Sequence, residues 1–456
     1  MIARFYRVLD PSEEGDGEIA WPRRHCRTLG RTLGRTLAWP LALVGAWLFA
    51  APASAQLLHG LGGAIGGLPS TLGGTLNEVR RGADQTIDDL SSTATQISRD
   101  RLGDLARTYP RALELDDKGA VVVRGEVLAI SPSPASLDLA AKAGFSVMHE
   151  SRLDSLGLDL VTLGAPKGLS AREALRRLRA LDPEGRYDLD HLYAGAGAVV
   201  AATSVAAGGA GTQSQGARIG LLDTGIDRRH TAFAASAIEQ RGFAPGGVTP
   251  AAHGTAVASL IVGQAHGFHG SAPGASLLAA DVYGSGPTGG SADAIVQGLA
   301  WMAENHVRVI NISLVGPPNL TLEAAVQSLV AKGVLIVAPV GNDGPAAPPL
   351  YPAAYPGVVA VTGVDRRGKV LFEAGRSGHI DFAAPGADLE AARAGGGFTT
   401  VRGTSFAAPI VAGRLADMLH GEDRASAAKA LAALADQARQ DGGVVGRDLA
   451  RADQAR

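Results

Sequence analysis

The sequence predicts an α/β protein: a parallel sheet flanked by helices, preceded by a smaller ferredoxin-like βαββαβ unit. Three observations lead there. Beyond residue 217, short apolar runs alternate with longer helix-compatible ones, the order that builds a parallel sheet with helices on both faces. Between 119 and 193 the order is instead strand, helix, strand, strand, helix, strand, the split βαβ arrangement. The 456-residue chain is 46% apolar but only 5% aromatic, so its core consists of Ala, Val, Leu and Gly, which let helices lie close on a sheet.

Charge and cysteine usage narrow the chemistry. The formal net charge is −2 and the C-terminal half holds no basic block, which excludes the electrostatic footprint of a nucleic-acid binder. The one cysteine, Cys26, falls in the leader, so the rest of the chain has no thiol nucleophile, cysteine metal site or internal disulfide.

Residues 1–55 read as a signal peptide. Arginine-rich "RRHCRTLGRTLGRTL" precedes the apolar run "AWPLALVGAWLFAAPA", and the small-x-small "ASA" follows at 53–55. The apolar run is shorter than the roughly 20 residues of a spanning helix. The expected outcome is cleavage near Ala55 and export, periplasmic or extracellular, with membrane attachment only if the signal stays uncleaved. Residues 56–118, Gly-rich and then polar, read as a mobile or helical spacer.

In the small unit, "GAVVVRGEVLAI" is Val-rich and suits a pleated, half-buried strand. "PASLDLAAKAG" reads as a helix ended by Gly144. "FSVMHES" and "LGLDLVTLG" supply the middle strands. "SAREALRRLRAL" opens with the capping-box pair Ser170 and Glu173 and puts Leu175, Leu178 and Leu181 on one side. "RYDLDHLY" closes the unit. Residues 194–217 are Ala, Gly and Ser with almost no charge, a flexible linker open to cleavage.

Across 218–456 the strand ends matter most, because active groups in parallel sheets gather at the carboxyl ends of strands. "RIGLLD" ends on Asp223, either a turn-bonding acid or a rim carboxylate. His253 opens the apolar helix "HGTAVASLIVG", as a cap, a surface residue or a base that needs an acid on one ring nitrogen and a nucleophile on the other. "VAPVGNDG" carries Asn342 between two glycines, a turn residue or an oxyanion donor. Ser405 in "RGTSFAAPIVAG" is a helix cap or a nucleophile. His230, His266 and His269 compete with His253; the "HGFH" pair has no third ligand nearby, so no metal and no cofactor are expected.

The words "LLDTGID", "HGTAVAS", "VINISLVGPP", "VAPVGNDG", "YPAAYPGVVAVTGVD" and "RGTSFAAPIVAG", in this order, resemble the subtilisin-like serine proteases, or subtilases. The resemblance implies a subtilisin-like sheet over 218–456 and a secreted serine endopeptidase, made as a zymogen and acting on proteins or peptides. Asp223 would orient His253, His253 would take the Ser405 proton, and Asn342 with the Ser405 N–H would hold the oxyanion. Ser313, Leu314 and Val315, with Gly289 and Gly341, would border an extended substrate. Residues 119–193 would be a pro-domain, an intramolecular inhibitor whose tail, ending at Tyr193, enters the cleft. Val315 stands where the family usually has glycine, and Ala232 where relatives often carry a calcium-binding aspartate, so no metal site is expected there. Pro409 lacks the N–H that a regular helix sends to the Ser405 carbonyl, which predicts a distorted first turn. The rival is a catalytically idle binding protein on the same fold, although all four reacting residues are present.

Overall fold

A computed structural model describes residues 102–200, 216–265 and 267–440. The signal peptide, most of the spacer, residues 201–215 of the linker and His266 lie outside the described residues.

The first structural layer begins earlier than residue 119. Residues 102–108 are helical (α1), and strand β1 (Leu113–Leu115) pairs antiparallel with β2 (Val121–Ile130). Leu113 packs against Val121, Val123 and Leu192, which draws the end of the expected spacer into the sheet. Then follow α2 (Pro134–Lys142), β3 (Ser146–Leu153), β4 (Leu158–Gly164), α3 (Ala171–Leu181) and β5 (Tyr187–His191). The sheet order is β5-β2-β4-β3, every pair antiparallel. The capping box forms: Ser170 accepts from the Glu173 N–H and the Glu173 carboxylate accepts from the Ser170 N–H. Leu175 and Leu178 are buried, but Leu181 is 43% exposed; Ala171 and Ala174 complete the buried side instead.

The expected linker starts as structure. β6 (Ala194–Gly195) and β7 (Ala198–Val200) are strands, each paired with the following domain. In β6 the Ala-Gly pair brings no bulky side chain, so the composition of a flexible tract there serves close backbone pairing.

The second layer is a seven-stranded, all-parallel sheet. Its strands are β8 (Arg218–Asp223), β9 (Ile238–Gly242), β12 (Ser276–Asp281), β13 (Val309–Ile312), β15 (Leu335–Pro339), β16 (Val359–Val364) and β17 (Phe382–Pro385). Between them the chain makes the hairpin β10 (Gln264–Ala265) and β11 (Phe268–His269), the edge piece β14 (Leu314–Val315) and the ribbon β18 (Leu389–Ala392) with β19 (Phe398–Arg402). The spatial order is β17-β16-β15-β13-β8-β12-β9. β8 thus lies at the switch point, where neighbouring connections diverge and a crevice opens.

Two helices cover each face. α4 (Ala252–Val262) and α7 (Thr404–Met418) pack on the side reached by Ile219, Leu221, Leu277 and Val337; α5 (Ala292–Glu304) and α6 (Leu320–Ala331) pack on the side reached by Leu222, Leu278, Ile310 and Ile336. α8 (Arg424–Gln440) packs against α7. The central strands are mostly apolar on both sides, as a sheet buried on both faces requires, while the edge strand β9 is polar and partly exposed.

The five-stranded sheet sits on α5 and α6. Leu128, Leu153, Leu156 and Leu160 join the core of that side. Two carboxylates meet the helix N-termini: Asp188 accepts the Leu320 N–H at 2.7 Å and Asp190 accepts the Asp293 N–H at 3.0 Å. Negative charge is favoured there by the helix dipole and the unpaired amides.

Candidate active site

Asp223 ends β8, is 2% exposed, and places both carboxylate oxygens 2.9 Å from His253 Nδ1. Its Oδ1 also accepts the Thr224 N–H at 2.7 Å, which sets the carboxylate plane. His253 is the second residue of α4. The helix start is pinned by Thr224, whose hydroxyl oxygen accepts the Gly254 N–H at 2.9 Å. A Cβ on Gly254 would lie 2.2 Å from the Thr224 carbonyl, so only glycine fits after the histidine. With Asp223 on Nδ1, that nitrogen carries the proton and Nε2 is left as the acceptor. Nε2 is buried and makes no hydrogen bond among the described residues. The Phe406 ring leans on the imidazole, centroids 5.3 Å apart.

Ser405 is not the helix cap. That position belongs to Gly403 at φ 136°, and Ser405 is the second residue of α7. The helix runs unbroken through Pro409, against the expected distortion. The physical reason is a substitute donor: Ser313 Oγ donates to the Ser405 carbonyl at 2.9 Å, taking the place of the missing Pro409 N–H. Ser405 Oγ donates to the Ser313 carbonyl at 3.0 Å.

Asn342 follows β15 in a turn, and its Oδ1 accepts the Thr404 N–H at 3.0 Å. That bond fixes the amide. A Cβ on Gly403 would be 2.8 Å from Asn342 Nδ2, 2.9 Å from the Ala196 carbonyl oxygen and 2.7 Å from Gly197 Cα, so these groups share one notch. The Ser405 N–H donates to that same Ala196 oxygen at 3.0 Å.

The segment before it runs as an added strand. Gly195 pairs with Leu314 and Ala194 with Val315, antiparallel. Gly195 crosses the imidazole, where a Cβ would come within 3.1 Å of His253 Nε2. On the opposite edge the Tyr193 N–H donates to the Gly290 carbonyl at 2.8 Å. Gly289, expected at that edge, instead sits in a turn with its N–H on Gly286, and a Cβ there would strike the Tyr283 carbonyl at 2.3 Å. Gly341 shapes the Asn342 turn at φ 90°, and its carbonyl accepts the Gly375 N–H.

The competing histidines serve elsewhere. His230 caps a short 3-10 turn through Nδ1 and reaches the Gly397 carbonyl at 2.6 Å, and His269 is exposed on β11. Arg402, two residues before the Thr404–Ser405 helix start, makes a bidentate pair with buried Glu373 at 2.8 and 3.0 Å. Sequence reasoning missed Ala196, Gly197, Gly290, Tyr283 and Phe406. The Ala-Gly tract carried no signal beyond flexibility, while in "DVYGSGPTGG" only Gly289 was singled out, one residue short of the glycine that pairs at the second edge.

Residues 214–450 match the model of the Subtilase family, Peptidase S8. The chain is 36% identical over 215 residues to Subtilisin Savinase of Lederbergia lenta, covering 45% of this chain and 77% of that protein. It is equally 36% identical to the Alkaline protease of Alkalihalobacillus alcalophilus, covering 45% of this chain and 54%, about half, of that relative's length. Among solved structures, fervidolysin from Fervidobacterium pennivorans shares the fold at TM-score 0.57 and 21% identity, over 68% of this chain and 57% of that one.

Proposed function

The chain belongs to the subtilase family of serine endopeptidases, and from that premise we propose that it is an exported endopeptidase made as an inactive precursor. Asp223, His253, Ser405 and Asn342 are its reacting residues, proteins or peptides its substrates, and the ferredoxin-like unit before Ala194 its pro-domain. Among the described residues no helix is long and apolar enough to cross a membrane.

The observation that carries this reading is the Ala196 carbonyl resting on the Ser405 N–H while residues 194–195 pair with β14. A peptide about to be cut needs that register: main-chain pairing gives the affinity and the oxyanion donors mark the bond. The bond so marked is Ala196–Gly197. Ser405 Oγ turns from the Ser313 carbonyl to His253 Nε2, gives up its proton there and attacks the Ala196 carbonyl carbon. The resulting oxyanion is held by the Ser405 N–H and Asn342 Nδ2. Collapse breaks the C–N bond, and His253 returns the proton to the Gly197 nitrogen, leaving Ala196 as an ester on Ser405. Water, deprotonated by His253, then attacks the ester. Collapse frees Ser405 Oγ, which takes that proton back from His253, and Ala196 leaves as a carboxylate once its acid proton goes to solvent, Asp223 balancing the imidazolium throughout.

Purified precursor should mature to a chain beginning at Gly197 and then react with a fluorophosphonate probe, while Ser405→Ala stays whole and unlabelled. A wild-type protein freed of residues up to Ala196 that takes no label would overturn the enzymatic reading. A mature N-terminus elsewhere would overturn the assigned bond.

A further inference from the structure

We propose that Tyr283 is a substrate-binding residue whose hydroxyl holds the main-chain carbonyl three residues before the one in the oxyanion notch. This rests on the reading of Tyr193–Gly197 as bound in substrate register. In the structure Tyr283 Oη donates to the Tyr193 carbonyl at 3.0 Å.

The need for a side-chain donor follows from the edge it serves. An antiparallel pair of residues can exchange two main-chain bonds. Gly290 accepts from the Tyr193 N–H at 2.8 Å, but its own N–H is already given to the Val282 carbonyl at 2.8 Å. The Tyr193 carbonyl is therefore left without a backbone donor on that side, and a carbonyl taken out of water without one is costly. Tyr283 supplies the missing bond.

The ring is placed for this. Asp281 Oδ1 accepts the N–H groups of Tyr283 and Gly284, each at 2.9 Å, and its Oδ2 accepts the Thr249 N–H at 2.7 Å. Gly290, at φ 80°, makes room: a Cβ there would be 2.5 Å from the Tyr193 carbonyl oxygen and 2.8 Å from Tyr283 Cε1. Burial first, then the charges of Asp223 and Asp281, push the phenol well above its ordinary value, so it remains a donor.

The test compares H-Ala-Gly-Ala-p-nitroanilide with its N-acetyl form on the matured wild type and on Tyr283→Phe. The acetyl carbonyl takes the place of the Tyr193 carbonyl, and every other consequence of acetylation is common to both enzymes. Acetylation should raise kcat/KM about 3- to 10-fold more in the wild type than in Tyr283→Phe, the worth of one hydrogen bond. Fluorophosphonate labelling of the variant at the wild-type rate reports an intact fold. A labelled, active pair of enzymes with the same acetyl effect overturns the role of Tyr283 alone. A wild type that neither labels nor cleaves overturns the enzymatic reading and this role with it.

Discussion

Ser313 and Ser405 exchange two hydrogen bonds, each hydroxyl donating to the other's carbonyl at 2.9 and 3.0 Å. The pair links the end of β13 to the start of α7 and repairs the helix that Pro409 would otherwise leave with an unpaired carbonyl. Ser313→Ala should cost about 1–3 kcal/mol, the penalty of a buried polar group without a partner. Restoring the helix donor with Pro409→Ala should recover part of that loss, so the double variant is less destabilised than the two single changes added together. Urea unfolding of the inhibited enzyme measures the cycle, and strict additivity would show that Ser313 does not stand in for the proline N–H.

Gly197 is confined by Phe406. A Cβ on Gly197 would lie 2.5 Å from Phe406 Cε2 and 3.3 Å from the Arg402 carbonyl, and Phe406 is itself fully buried against His253. Gly197→Val in the precursor should slow self-cleavage at least about 10²-fold, since misplacing the scissile bond by an ångström is worth that much. Phe406→Ala should restore cleavage of the valine precursor toward the parental rate. The band pattern over time decides it, and a valine precursor that matures at the parental rate would remove the ring from any part in selecting the residue after the cut.

How much of this was legible in the sequence depends on how local each signal is. Asp223, His253 and Ser405 lie at the ends of their elements and Asn342 in the turn after β15, each next to a glycine or threonine, so short words betray them. The sheet was legible for the same reason: β8, β12, β13, β15 and β16 are apolar runs buried on both faces. Ala194–Gly197 was not, because a strand that pairs only through its backbone has no side-chain periodicity to read. Ser313's service to Ser405 was hidden too, being a contact across 92 positions of chain.

Glu373 holds the strand before Ser405 to the Asn342 turn. Its carboxylate grips Arg402, and its own carbonyl accepts the Gly344 N–H at 2.9 Å, two residues past Asn342. Glu373→Gln removes the charge from the bidentate partner of a mostly buried guanidinium, Arg402 being 21% exposed. The expected loss is about 1–3 kcal/mol, the range for a weakened charged hydrogen bond. Calorimetry should show a lowered Tm, and kinetics a fall in kcat as the Asn342 amide loosens. A variant with unchanged Tm and kcat would reduce the pair to decoration.

The contact between the two sheets' layers carries a pH dependence of definite sign. Glu126 on β2 and Asp190 on β5 face Asp293 on α5, with Gln297 and Ser291 as neutral partners and His149 of β3 as the nearby base. Burial, then the Asp293 charge, pushes Glu126 up to about 7; burial, then Asp293, also raises Asp190, and burial raises Asp293. One oxygen of Asp293 is buried without a partner, so a second negative charge beside it finds no compensation. Carboxyl groups raised in the complex hold their protons there and lose them when apart, so association is tightest in acid. It weakens as pH climbs from the ordinary carboxylate value of about 4.3 through about 7, by up to about tenfold per pH unit for each proton held. The dissociation constant of the separated segment ending at Ala196, followed from pH 5 to 8, should rise accordingly, and Glu126→Gln should flatten the slope and keep the complex tight at neutral pH. A constant independent of pH, or a slope untouched by Glu126→Gln, would show that these carboxylates do not time the release.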